Sequence, residues 1–524
     1  MPRRHRHPAG ARARVLLALV LAAGAPAAAR GAEVFLAAHP HPDCPCGDGQ
    51  PPAAPCGTTA ERPLACWADA YARAGDAGDS VTFLAGQHEA CLAIDGRGRP
   101  SAPFTCRGAT PGDVSIRCRQ AVDVIRVTGG TVVLADLRIV AGMDNPAAIH
   151  IAADAAGRGG RHALRRLLVE GGRTGILLEG AGRNVLDEVT VSGASAGLQI
   201  VSSDNQVRGL RLLDIVTTAL LLAPAAARNR IERFEVRRAG MLGLLVMSGA
   251  RDNRFEDGVV AETGTHGVEI SGSGTVVRRC DVSAAHIHGI HVMGRDATVD
   301  RVRIESCVIH HNGSSDGDRP MGDGIKIEVA SRTIVRATRI AANTSNGILE
   351  NNTARATRIE GCTIENNGTS GFAHGVYTKG EGGIIRGCHV RGNSGYGLHL
   401  WAAPRDYLVE DNDVTGNGTV RGGGIVVGGT PKEAPPGRSG LPENVVVRRN
   451  RLSGNLGPAL DYLLPVAGPP EGCWPGTAGN EFLDNDITPV TGTLPVLLRG
   501  ARPECVTVRG NVVRAPTPPA TDPP

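Results

Sequence analysis

GVEIS at Gly267, GIHVM at Gly289 and GIKIE at Gly324 are three copies of one phrase, a glycine followed by alternating apolar and other residues. Six more strong copies surround them: GILLE at Gly175, GLQIV at Gly197, GLLVM at Gly243, GVYTK at Gly375, GLHLW at Gly397 and GIVVG at Gly424. ALLLA at Ala219 and GILEN at Gly347 are weaker copies in the gaps. Successive copies start 22 to 28 residues apart, except for 35 residues between Gly289 and Gly324. A recurring period of this size marks a solenoid. Alternation over five positions is a half-buried strand, and no stretch sustains the i, i+3, i+4, i+7 pattern of helical repeats.

A second short strand follows in each period, written as any residue, Cys or Asn, any, Val or Ile. It reads RRCDV to Val282, ESCVI to Ile309, EGCTI to Ile364, RGCHV to Val390, EDNDV to Val414 and RRNRL to Leu452. Two or three strands per turn joined by Gly and Asn corners describe an all-β fold, a parallel β-helix solenoid. The repeat resembles that of the right-handed parallel β-helix superfamily, the pectate-lyase-like group, over most of the chain. That superfamily holds pectate and alginate lyases, polygalacturonases, epimerases, phage tailspikes and many secreted proteins, so the resemblance speaks for fold more than activity.

Residues 1–32 read as a secretory signal peptide: a basic start, an apolar run at Val15–Ala25 too short to span a bilayer, then small residues. The expected location is therefore secreted, whether extracellular, cell-surface or periplasmic. Removing its six arginines turns the formal net charge from +4 to −2. Acids and arginines are mixed along every coil, which excludes the basic stripe of a nucleic-acid binder. No later stretch is a membrane span, and the solenoid is expected to be a monomer. Aromatic residues are only 3% of the chain, so the core must be stacked Val, Ile, Leu and Ala. Thirteen cysteines in an exported chain imply disulfides. Seven lie between Cys44 and Cys118, so at least one has no partner within that group.

Residues 33–80 read as a Cys- and Pro-rich N-terminal cap. Its Pro63–Gly75 segment is a short helix with Leu64, Trp67, Ala68 and Tyr71 on one side, a lid for the first coil. Residues 81–514 form the β-helix, and 515–524 are a Pro-rich tail expected to be disordered. Cys473 and Cys505 are placed to bridge the C-terminal end. Cys280 with Cys307, and Cys362 with Cys388, share a column otherwise filled by Asn412 and Asn450, and read as buried thiols.

Alternation also assigns faces. Residues one and three after each glycine point inward; those at two and four point outward and stack into columns. The first column reads Leu177, Gln199, Leu221, Leu245, Glu269, His291, Lys326, Leu349, Tyr377, His399, Val426. The second includes Glu328, Asn351, Lys379 and Trp401. From Glu269 to Trp401 both columns turn from aliphatic to titratable and aromatic, and the residue before the glycine becomes His266, His288, Asp323, Asn346, His374 and Tyr396. This is the surface that an extended polar chain requires. The expected partner is a polysaccharide or cell-surface glycan, with Glu269, Glu328, Asn351, His374, Lys379, Tyr396 and Trp401 binding it.

The long insertion HHNGSSDGDRPMGDG places Asp316, Asp318 and Asp323 just before Lys326, a set of oxygen ligands suited to Ca²⁺. Lys326 would take the proton α to a uronate carboxylate, and His291, Tyr377 or His399 would protonate the leaving oxygen. This resembles the calcium-and-lysine chemistry of some β-helix pectate lyases, and implies polysaccharide lyase-like β-elimination. The paired aspartates and Gly-His-Gly of polygalacturonases and the Asp-Pro-His of alginate epimerases are missing. The alternative is a non-catalytic surface, adhesion or structural module that binds glycans. Histidines before the glycine have a structural reading too, bonding the next coil's backbone, and Lys326 with Glu328 reads equally as a surface pair. Glu350 falls at an inward position, where a carboxylate is costly: either the strand bulges there or Glu350 is a satisfied buried acid.

Overall fold

The computed structural model describes residues 31–516, apart from 40, 45–55, 76, 158, 181, 315–320, 435–436, 438, 465–472, 475–476, 478 and 501–504. The segment up to residue 30, read from the sequence as a signal peptide, and the tail from 517 therefore lie outside the described residues.

The glycine phrases become the strands of one 16-stranded parallel sheet, running from Leu92–Asp95 to Val496–Arg499. Two more parallel sheets complete each turn. One starts at Glu33–Leu36, paired with Ser80–Phe83, and the other at Gly86–Glu89. The result is a right-handed solenoid of about 16 turns. Both weak copies of the phrase are true strands, Leu220–Leu222 and Ile348–Glu350, paired in register with their neighbours. Alternation places the core: Ile176, Leu178, Leu244, Ile290, Val292, Ile325 and Ile327 are each fully buried.

The Cys/Asn position marks a corner between sheets. Asn412, Asn450, Asn485 and Asn511 stack there; the side-chain carbonyls of Asn450, Asn485 and Asn511 each accept the backbone and side-chain N–H of the asparagine one coil below, at 2.8–3.0 Å. Cys388 enters the same ladder by donating its backbone N–H to Asn412 at 2.9 Å. Cys280, Cys307, Cys362 and Cys388 are buried free thiols, as expected of that column. Charged pairs brace this corner and others. Arg166 pairs with Asp136, Arg228 with Asp204, Arg238 with Asp214, Arg279 with Asp257 and Arg449 with Asp411, each one coil apart and each fork-to-fork. Arginine's planar guanidinium suits that geometry.

At the N-terminal end the helix is Trp67–Arg73, and Trp67 stacks on Phe83 with ring centroids 6.1 Å apart. The expected helix face is corrected: Ala68 is exposed, while Ala70 and Ala74 are buried. The reason is that Leu64 is not helical but bridges to Leu36, so the helix is phased from Trp67. Disulfides join Cys44 to Cys56, Cys91 to Cys118 and Cys473 to Cys505, the last pinning the C-terminal coils. Cys66 is also disulfide-bonded, and Cys106 is the free, buried member of the N-terminal group. Such bonds belong to an oxidising compartment. Among the described residues no helix is long and apolar enough to cross a membrane.

Glu350 does not bulge. It points inward, fully buried, and accepts hydrogen bonds from the Thr378 hydroxyl one coil above and from the Tyr407 hydroxyl. Burial raises its pKa above the usual carboxylate range.

Candidate functional site

Strand register confirms the outward column residue by residue: Leu245 pairs with Glu269, Glu269 with His291, His291 with Lys326, Lys326 with Leu349, Leu349 with Tyr377, Tyr377 with His399 and His399 with Val426. The column continues beyond the glycine phrases to Asp461 and, in the other direction, to His150 and Arg126.

The histidines before the glycines hold coils together. His266 Nδ1 accepts the His288 N–H at 3.3 Å, His288 Nδ1 the Asp323 N–H at 3.1 Å, and His374 Nδ1 the Tyr396 N–H at 3.0 Å. Burial lowers their pKa values, to about 4 for His266, about 2 for His288 and about 3 for His374, so these rings are neutral. His374, expected to bind substrate, is only 4% exposed and is an inter-coil link. Asp323, expected to bind metal, is likewise turned inward. Its Oδ1 accepts both the backbone N–H of Asn346 at 3.1 Å and its side-chain amide at 2.8 Å. Asp316 and Asp318 lie outside the described residues. The Ca²⁺ set thus has no open described ligand and does not fit Asp323.

Around Lys326 the hub is Glu328. It accepts from His291 Nε2 at 2.9 Å and Asn351 Nδ2 at 3.2 Å, and lies 3.4 Å from Lys326 Nζ. Burial opposes its ionisation, but the Asn351 and His291 hydrogen bonds and the Lys326 charge hold its pKa below the usual value. His291 is therefore not the expected proton donor to a polymer: its Nε2–H is spent on Glu328, and its Nδ1 is buried. Glu269, also expected to touch substrate, is 3% exposed and bonded through Oε1 to Arg295 at 2.6 and 3.0 Å.

Farther up, Tyr377 stacks on His399 at 4.7 Å and Lys379 Nζ sits 5.0 Å over the Tyr377 ring. His374 has its Nδ1 occupied as an acceptor, so its Nε2–H donates to His399 Nδ1 at 2.7 Å, leaving the His399 proton on Nε2. Burial drives His399 well below its usual pKa and pushes Tyr377 up, so Tyr377 keeps its proton. Tyr396 donates to Asp461 at 2.7 Å, and Trp401 Nε1 to Glu433 at 2.7 Å. The partly exposed groups that the fold brings together are Lys326, Glu328, Asn351, Tyr377, Lys379, His399, Tyr396 and Trp401.

Two features escaped sequence reasoning. Of 56 basic residues only three are lysines, and all three gather here: Lys326 and Lys379 on the face, and Lys432 in the turn Pro431–Glu433 whose Glu433 holds Trp401. A residue count would have found this. The second is a His–carboxylate group at the other end of the same face. His150 sits 2.9 Å from both Asp123 and Glu179, with Arg126 3.0 Å from Asp123, beside a cavity of about 550 Å³ lined by Ala93, Val122, Pro146 and Leu177. AAIHIA lacks the leading glycine, and alternation alone would have put His150 in the column.

A family model described as a right-handed β-helix region matches residues 157–304 and 297–414. The chain is a right-handed parallel β-helix repeat protein. Among solved structures it is similar to a mannuronan C-5 epimerase A-module of Azotobacter vinelandii, at 13% identity over 86% of this chain and 93% of that one, with a TM-score of 0.33. A periplasmic alginate epimerase is 8% identical over 64% of this chain and 76% of that one, TM-score 0.43. An alginate lyase from a Paenibacillus species is 14% identical over 58% and 92%, TM-score 0.35. Likeness at this level fixes neither activity nor substrate. No curated protein matches the chain.

Proposed function

We propose that this exported protein binds an acidic polysaccharide in extended form along the face from Lys326 to Trp401, and cleaves it by β-elimination. One observation carries the reading: a chain that meets almost every need for positive charge with arginine places its three lysines on or beside this face. Arginine already serves the inter-coil ion pairs, and charge alone would not require a change. What lysine adds is an amine that can give up its proton, which a guanidinium does not do in proteins.

In the proposed reaction Lys326 removes the proton on the carbon next to the uronate carboxylate. The electron pair forms the carbon–carbon double bond, and the bond to the leaving glycosidic oxygen breaks as Tyr377 protonates it. Tyr377 suits that task because burial keeps it protonated. The two stand two coils apart, about 10 Å along the sheet, a gap that the lysine stem and the phenol span between them. Lys379, the Tyr377–His399 stack and Trp401 supply charge and flat apolar surface for neighbouring sugars.

The Lys326–Glu328 pair favours a second reading, a binding module without turnover. The nearest charged partner of the ammonium is a carboxylate, not the neighbouring cation that would help it shed a proton. The test is ultraviolet detection of unsaturated uronate products on pectate, alginate and glycosaminoglycans, alongside affinity electrophoresis on the same polymers. Product formation abolished by Lys326→Arg with retained binding supports the lyase. Binding lost on Trp401→Ala with no product from any polymer supports the module, and neither binding nor product overturns both.

A further inference from the structure

We propose that His266, Glu269 and His291 form a binding site for a divalent transition metal of the zinc class, one coil from Lys326. His266 and Glu269 belong to the same coil, and His291 is the register partner of Glu269 on the next. One ligand atom from each of the three lies within 4.8 Å of the other two. Donors bound at about 2.0–2.2 Å to one tetrahedral ion stand about 3.4 Å apart, so side-chain rotations of about an ångström close the set.

A second observation points to a ligand. His291 is 5% exposed, and among the described residues its Nδ1 has no hydrogen-bond partner. The other ring nitrogen donates to the Glu328 carboxylate at 2.9 Å, which fixes the ring proton on Nε2 and leaves the Nδ1 lone pair free. A buried acceptor without a donor is costly. An imidazole held by a carboxylate at one nitrogen, with the other nitrogen bare, is also how metal-ligating histidines are oriented. Glu269 fits the same pattern: both Arg295 hydrogen bonds fall on Oε1, leaving Oε2 as the ligand oxygen. His266 offers Nε2. In the metal-free protein its Nδ1 accepts the long 3.3 Å bond from His288, so ligation moves the ring proton to Nδ1 and turns the ring off that amide.

Two imidazoles and one carboxylate are the donors of zinc-class ions, whereas Ca²⁺ requires an all-oxygen shell. Three protein donors leave a fourth position for water or another ligand. The site is distinct from the aspartate loop and does not depend on the polysaccharide reading.

The test is titration of chelator-stripped protein with ZnCl₂ by calorimetry and with CoCl₂ by visible absorption. One equivalent of zinc per chain is expected, with cobalt bands of four- or five-coordinate nitrogen and oxygen ligation. Glu269→Gln, isosteric and able to keep a bond at Oε1, should weaken zinc binding at least tenfold, as should His291→Ala. Glu328→Gln leaves all three donors in place and should cost about tenfold through the loosened His291 ring. A zinc-induced rise in melting temperature in the parent but not in folded Glu269→Gln would give the same answer. Absence of stoichiometric uptake overturns the site and leaves an ordinary buried histidine cluster. Uptake unchanged in Glu269→Gln and His291→Ala overturns it as well, placing the metal elsewhere, such as at the His310–His311 pair on another sheet.

Discussion

Tyr407→Phe deletes one hydroxyl at the point where the aliphatic interior of the solenoid is interrupted. That hydroxyl hydrogen-bonds Glu350 and lies 2.8 Å from the Thr378 hydroxyl, and all three residues are at most 2% exposed. Glu350 thereby loses one of the few donors that compensate its burial. Leaving a buried polar group short of a partner costs about 1–3 kcal/mol. Solenoid stability is a sum of local and nearest-neighbour contributions, so the loss should concentrate in the coils of Ile348–Glu350, Val376–Thr378 and Tyr407. Hydrogen exchange read by mass spectrometry measures this directly. Protection of peptides covering those strands should fall by about fivefold to a hundredfold, with Thr174–Leu178 unchanged.

The same group sets a pH dependence. The folded pKa of Glu350 is raised above the unfolded value near 4.5, so between the two the folded state binds more protons. Its contribution is complete below about pH 4.5 and is lost as pH rises through the folded pKa. Parent protection relative to Glu350→Gln, compared at each pH, should therefore decline upward from about pH 5. Protection unchanged in Tyr407→Phe, or reduced equally in every coil, would refute the reasoning, as would a parent that gains on Glu350→Gln with rising pH.

Other outcomes follow from the same geometry. His374 has the opposite sign: burial lowers its pKa to about 3, so stability relative to His374→Gln should rise with pH from about 3 to about 6.5 in urea titrations. Trp401→Ala should weaken polymer binding by about tenfold through lost apolar contact, read by affinity electrophoresis. Reducing the Cys473–Cys505 bridge, which closes a span of 32 residues, should destabilise the C-terminal coils by about 4 kcal/mol, seen as their exchange accelerating ahead of the rest. Cys280, Cys307, Cys362 and Cys388 should resist alkylation in the native state and react only on unfolding, since all four are buried.

The sequence by itself determined the solenoid, its inward and outward faces and the outward column from Leu177 to Val426. The reason is that each glycine phrase carries its own register: a period of two assigns faces within a strand, and stacking of like on like aligns successive coils. The same local logic placed Glu350 inward, the four cysteines in an asparagine column and the bridge at Cys473. Where no phrase carries the register, legibility failed. His150 lacks a leading glycine, and the helix face was shifted because Leu64 was claimed by a strand.

Only the tertiary structure decided what the polar column does. Asp323, His374, Glu269 and His291 look alike in sequence as outward or corner-lying polar residues. Yet Asp323 and His374 are spent on the next coil's amides, Glu269 on Arg295, and His291 on Glu328 two positions past its register partner. Those assignments depend on which side chain stands directly above which, and on how much water reaches it. Residues 22 to 37 apart in the chain acquire such neighbours only when the coils stack.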